Sequence, residues 1–191
     1  MSGSLHQRLD KILPRVTSSE FLSGKGIGNE IAFYIFDYAP EDEMQVRAHL
    51  PTLIEHIRKQ KPDLRVQHVN LFDLVIEHLN TRRLLEKALQ MQREKGDVAL
   101  RNALKAPLHE SKLSAAFAEA VRPQEQDLVL VSGVGSVWPL LRSHTLLSNL
   151  HPVLGNTPLV MFYPGRYDSQ SLRLFGKIKN ANYYRAFKLI P

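Results

Sequence analysis

The sequence predicts an α/β protein: a single domain over residues 1–191, with a mainly parallel sheet of about five strands and helices on both of its faces. A helical insertion fills its middle, and the frame is like a degenerate P-loop NTPase or a Rossmann domain. Three observations predict this. Short β-prone runs alternate with stretches of helical spacing, as a parallel sheet requires. The stretch 71–122 carries helical spacing and no convincing strand. With 191 residues, 43% of them hydrophobic, the chain is long enough to bury one real core.

The elements follow in order. Leu5, Leu9, Ile12, Leu13 and Val16 recur at helical spacing, so an amphipathic helix opens the chain within residues 1–22. "SGKGIGN" (23–29) is a glycine-rich break. It reads as a connector, because a phosphate loop follows a strand and this segment precedes one. "IAFYIFDY" (31–38) is a buried-strand run that carries Asp37 near its end. Pro40 and the acids of "EDE" then start a helix, proline fitting the first turn and the acids facing the positive helix end. That helix runs to about Gln60 and buries Val46, Leu50, Leu53, Ile54 and Ile57. "LRVQHVNLF" (64–72) gives a second strand leading into the insertion, which breaks near Gly96 and Pro107. The last third returns to alternation. It has a strand at 127–132, a helix from about Ser136 to Leu150, a strand at 158–163, a short helix near 169–177 and a final strand near 183–189.

Composition narrows the function. There is no cysteine, which removes disulfides and thiolate metal ligands and fits a reducing compartment. No apolar run approaches the roughly 20 residues that cross a bilayer, and the mixed-charge start "MSGSLHQRLDKILPRV" lacks the apolar stretch of a signal peptide. A soluble cytoplasmic protein is expected, with no membrane association. The formal net charge is +6, and residues 128–191 hold seven basic residues against one acid, Asp168, so this third carries the whole excess. Such asymmetry suits a positive face turned towards an acidic partner, or a merely solvated surface.

Four sets of residues are candidates for chemistry. Gly133, Gly135 and Ser136 in "SGVGSVW" follow a strand, where backbone N–H groups can cradle a phosphate. No lysine completes a P-loop, and Trp138 stands where the dinucleotide fingerprint has its third glycine. A tight strand-to-helix turn with Ser136 as N-cap is the better reading. Asp37 ends its strand at the same sheet edge and could hold magnesium, yet a capping or salt-bridging role suits it better without that lysine. Arg142, Arg166 and Arg185 could form an anion-reading, partner-binding cluster, or Arg166 could pair internally with Asp37. The fourth set is the histidines. His49 with His56, and His144 with His151, are paired seven apart but have neither the HExxH spacing nor a cysteine. No catalytic motif is complete, no GxSxG elbow occurs, and no cofactor or metal is expected. "NYYRAFKL" mixes aromatic and basic residues as nucleic-acid surfaces do, though in a strand its rings belong more often to the core.

Together "YIFDYAPEDEMQVR", "GVGSVWPLLRSHTLLSNL", "FYPGRYDSQSLRLFG" and "NYYRAF" resemble the BrxB proteins of bacterial BREX (bacteriophage exclusion) defence systems. The resemblance runs from about Phe33 to Phe187, and the helical middle contributes least. It implies a small component of an assembly, encoded beside a PglZ-type alkaline-phosphatase-like protein, a PglX-type adenine-specific DNA methyltransferase and a large AAA+ ATPase. It implies no catalytic residue. Its functional expectation is an adaptor joining the phosphatase-like protein to the methyltransferase, associated with DNA only indirectly. The alternative is a nucleotide- or nucleic-acid-binding regulator of the same system.

Overall fold

Apolar strands that meet no water on either face set the architecture. The computed structural model describes residues 4–23, 32–141, 143–179 and 186–191. Its central strands are β1 (Phe33–Tyr38), β2 (Val66–Asn70), β3 (Leu128–Ser132) and β4 (Leu159–Tyr167), with a short β7 (Phe187–Lys188) at one edge. They run parallel in the order β2-β3-β4-β1-β7. Every residue of β1 and β3 is buried, as a strand covered on both sides should be. The order differs from the dinucleotide-binding order, because the first crossover passes over two strands before β2 is laid down.

Alternation along the strands sorts the core into two layers. Tyr34, Phe36, Leu128, Leu130, Val160 and Phe162 face one side. There they meet α1 (Leu5–Asp10), α2 (Ile12–Val16), α3 (Ser19–Leu22) and α4 (Glu43–Gln60) through Leu9, Ile12, Phe21, Val46 and Leu53. Phe33, Ile35, Val129, Val131 and Met161 face the other side. They meet α5 (Leu71–Thr81), α7 (Glu110–Val121) and α8 (Ser143–Leu154) through Val75, Phe117 and Leu150. Fully burying a ring such as Phe36, Phe117 or Phe162 contributes about 1.5–3 kcal/mol each. The helical middle is as the sequence predicts. Within it α6 (Leu85–Leu104) is kinked at Gly96 (φ 77°) and buries only Leu104.

Several boundaries differ from the sequence reading, each for a local reason. The opening helix is broken at Lys11, because Pro14 has no N–H to bond the Asp10 carbonyl. The helix expected from Ser136 begins only at Ser143. Pro139 cannot continue a helical ladder, and the Trp138 N–H instead closes a turn on the Gly135 carbonyl at 3.3 Å. The strand expected at 158–163 continues through Pro164 and Gly165 to Tyr167. The short helix expected near 169–177 is an antiparallel hairpin extension, β5 (Leu172–Leu174) and β6 (Ile178–Lys179), paired onto the end of β4. Asp168 makes its turn by accepting the N–H groups of Gln170 (3.0 Å) and Ser171 (2.6 Å). Gly165 serves close approach, since a Cβ there would strike the Arg173 carbonyl oxygen. Of the final strand expected near 183–189, residues 187–188 are β7, and 183–185 lie outside the described residues. So do Arg142, Arg185 and all of "SGKGIGN" except Ser23.

Candidate functional site

The carboxyl ends of β1, β2, β3 and β4 share one sheet edge, where α/β proteins place their ligands. Asp37 lies there, 9% exposed. Arg8, brought in by α1, stacks its guanidinium 4.8 Å from the Phe36 ring centre and donates to Asp37 Oδ1 at 2.9 Å. The Tyr167 N–H donates to Oδ2 at 3.0 Å, and Lys188 Nζ stands 3.8 Å from the same oxygen. Both carboxylate oxygens are therefore engaged by the fold, which is the salt-bridging role. Arg166, the partner the sequence offered, is exposed and does not pair with Asp37. Spacing could not have found Arg8, because the two residues are joined only in space.

The glycine turn after β3 is built differently from a phosphate loop. Gly133 has φ 74°, and a Cβ on it would strike Asn70 Oδ1, the atom that caps α5 by accepting the Phe72 N–H at 2.9 Å. The glycine thus lets two loops touch. Gly135 is not left-handed, and a Cβ there would stand 3.0 Å from the Phe175 ring and 3.0 Å from Pro164. Ser136 is exposed in a run of turns, so it does not cap α8, and no helix N-terminus follows the glycines directly.

One polar pair escaped the sequence reading. His68 on β2 and Ser132 on β3 are 2.8 Å apart, Nε2 to Oγ. Burial pushes the imidazole below its ordinary value, with Asp73 opposing, so the ring is neutral at pH 7. A neutral histidine on a serine hydroxyl is half of a nucleophile–base arrangement. Ser132 is only 5% exposed, however, and no hydrogen bond among the described residues orients Nδ1. The pair is a polar staple between strands. His78, also buried, bonds the Pro107 carbonyl at 3.1 Å. Among the described residues no three His, Asp or Glu side chains converge as a metal ion would require. No helix there is long and apolar enough to cross a membrane.

The hairpin beyond β4 carries the positive charge. Tyr167, Leu172 and Leu174 turn into the core while Arg166 and Arg173 lie exposed and directly opposite each other; Arg173 is in turn opposite Lys179 in register. Asp168 is drawn onto its own turn, and the hydrogen bonds from Ser171 and Gln170 hold its carboxyl at about 2. Trp138 is 44% exposed and meets Phe175 edge-on with ring centres 6.2 Å apart.

Comparison with known proteins agrees with the motif resemblance. The family described as "BREX protein BrxB" matches residues 67–189. A "BREX protein BrxB" of Bacillus cereus (strain H3081.97) is 43% identical over 188 residues, covering 97% of this chain and 97% of that protein. A second, from Escherichia coli O9:H4 (strain HS), is 41% identical over 187 residues, covering 98% of this chain and 92% of its own. No solved structure matches. With identity of this order over nearly its whole length, the chain belongs to the BrxB family of BREX proteins.

Proposed function

We propose that this protein is a non-enzymatic adaptor of a BREX phage-defence complex. It joins the alkaline-phosphatase-like component to the DNA methyltransferase, with the AAA+ ATPase as a further partner, in the cytoplasm and with DNA only at second hand. The whole chain acts as one α/β unit. The observation that carries the proposal is the state of the sheet's carboxyl edge. Its acid is taken up by Arg8, Lys188 and the Tyr167 N–H, and its glycine turn is closed against Asn70. The groups an NTPase would spend on phosphate and magnesium are spent on packing. On the hairpin beyond that edge Arg166 and Arg173 lie exposed and opposite each other, a basic outer surface that suits a binding partner.

The test is size-exclusion chromatography with light scattering of the protein mixed with its phosphatase-like neighbour and, separately, the methyltransferase, with and without ATP and magnesium. A stable complex indifferent to nucleotide is expected; a stable interface buries about 1,200–2,000 Å². A complex formed only with ATP would overturn the non-enzymatic reading in favour of a working Gly133 turn. The exposed Trp138 and Arg166 favour one second reading, a nucleic-acid-binding regulator. It predicts affinity for DNA that falls steeply with salt.

A further inference from the structure

We infer that the outer edge of β2 is a docking site for an extended strand of an acidic partner protein, which joins the sheet beside Val66–Asn70. The inference rests on the adaptor reading and assigns it a surface and a mode of binding.

The first argument is where the main chain of β2 points. Successive residues of a strand direct their N–H and C=O groups alternately to its two sides. The Arg65 carbonyl accepts the Leu128 N–H at 3.2 Å, and the register sets Val66 beside Leu128 and His68 beside Leu130. Arg65, Gln67 and Val69 therefore bond to β3, while Val66 and His68 turn their groups away from it. Strand β2 is the outermost of its end of the sheet. Among the described residues no hydrogen bond takes up those four outward groups. The site is bounded on both sides. Before it the Leu64 N–H donates to the Lys61 carbonyl at 3.0 Å, and after it Asn70 caps α5.

The second argument is that the edge is undefended. Proteins blunt an edge strand with charge, proline, a bulge or brevity. The five residues of β2 include no proline and no Lys, Arg, Asp or Glu, and they pair with β3 without a bulge. Every residue of β1 and β3 is buried, whereas Gln67, His68 and Asn70 are half-buried. At the other end of the sheet β7 spans only Phe187–Lys188 among the described residues.

The third argument selects the occupant. Val66 and His68 are two residues apart, so their donor–acceptor pairs repeat at about 6.6 Å. An extended chain repeats at the same spacing and, running in either direction, meets all four groups. A helix spends its own N–H groups internally. A second copy of this chain offers β2 itself, but two such chains carry a formal charge of +6 each and repel. A net acidic partner is drawn in by the same charge.

Hydrogen exchange resolved amide by amide tests this on the full chain, alone and mixed with the phosphatase-like component or with the methyltransferase. Light scattering follows complex formation separately. In the free protein the amides of Val66 and His68 should exchange faster than those of Gln67 and Val69. In a complex with at least one of the two proteins they should slow by about tenfold or more. His68→Pro removes an outward N–H and leaves the ladder to β3 intact. His68→Gln, which loses the same imidazole and keeps the N–H, is its control, and each is checked by thermal melting. His68→Pro should weaken the complex about tenfold or more, because a partner carbonyl is left without its donor; His68→Gln should weaken it far less. If His68→Pro melts well below His68→Gln, the wild-type exchange pattern decides. The affinity should also fall with added salt, and indifference to salt overturns the acidic partner. A complex that leaves Val66 and His68 fast, or that is equally tight for both variants, overturns the edge site while the adaptor reading stands. Slow exchange at Val66 and His68 in the dilute free protein overturns it too. Slowing that grows with the concentration of this chain alone overturns the acidic partner in favour of a second copy. No complex with either protein overturns both readings.

Discussion

At Gly133 two constraints coincide: a left-handed backbone and a neighbour, Asn70 Oδ1, that occupies the place of a Cβ. Gly133→Ala should therefore cost about 1–3 kcal/mol, read as a lower urea midpoint with an unchanged slope. An unshifted midpoint would show that the turn is not built this way. Gly135→Ala asks that the Phe175 ring and Pro164 give by a few tenths of an ångström, and since its backbone is ordinary it should cost less. His68 makes a second prediction, through pH. Burial lowers its folded pKa from the ordinary 6.5, so the unfolded chain binds the proton more readily. Stability from the neutral ring is then fully present above that value and is lost as pH falls towards the lowered one. His49 acts in the same direction, chiefly through burial, with Asp10 opposing and His6 and His56 reinforcing. Urea midpoints should thus fall between about pH 7 and pH 5, and His68→Gln should make that fall shallower. An identical profile for the variant would remove His68 from the account. The glycines could be read from the sequence as special, but not their partners. Asn70 and Gly133, like His68 and Ser132, meet only because β2 and β3 are neighbours.

Among the elements, the N-terminal helices are tied to the sheet by apolar contacts and by one ion pair. Arg8 and Asp37 retain 16% and 12% of their side-chain exposure, so removing the arginine leaves a mostly buried carboxylate with the longer Lys188 contact, at 3.8 Å, as its counter-charge among the described residues. Arg8→Ala should cost about 3 kcal/mol. In an Asp37→Asn background the same change should cost much less, a coupling that a double-mutant cycle measures. Equal costs in both backgrounds would mean the pair contributes nothing beyond packing. The strands β1, β3 and β4 were legible because continuous apolar runs bounded by turn residues have few other uses. Helix α4 was legible through Pro40 and its apolar spacing. The β5–β6 hairpin was not. Leu172 and Leu174 give a period of two for only three residues, too short to outweigh a helical reading, and what fixes the strands is the Asp168 turn and the room left by Gly165. Of the three arginines singled out from sequence, Arg166 has an outward place on that hairpin, and the hairpin gives it Arg173 as a neighbour.

Taken whole, the molecule keeps the acid and the glycine turn of its carboxyl edge for internal bonding and sets Arg166 and Arg173 outside, the division the proposed adaptor role asks for. The sheet order has another consequence, one that unfolds in time. Strand β1 is the first part of the sheet to leave the ribosome, yet its two neighbours, β4 and β7, are the last of its parallel strands to do so. Tyr38 waits for Pro164, which at about 5–20 residues per second is on the order of 6–25 s. Through that interval the largely aromatic segment "FYIFDY" is without its strand partners, while β2 and β3 can already pair. The sheet therefore closes in one late step, around the strand made first.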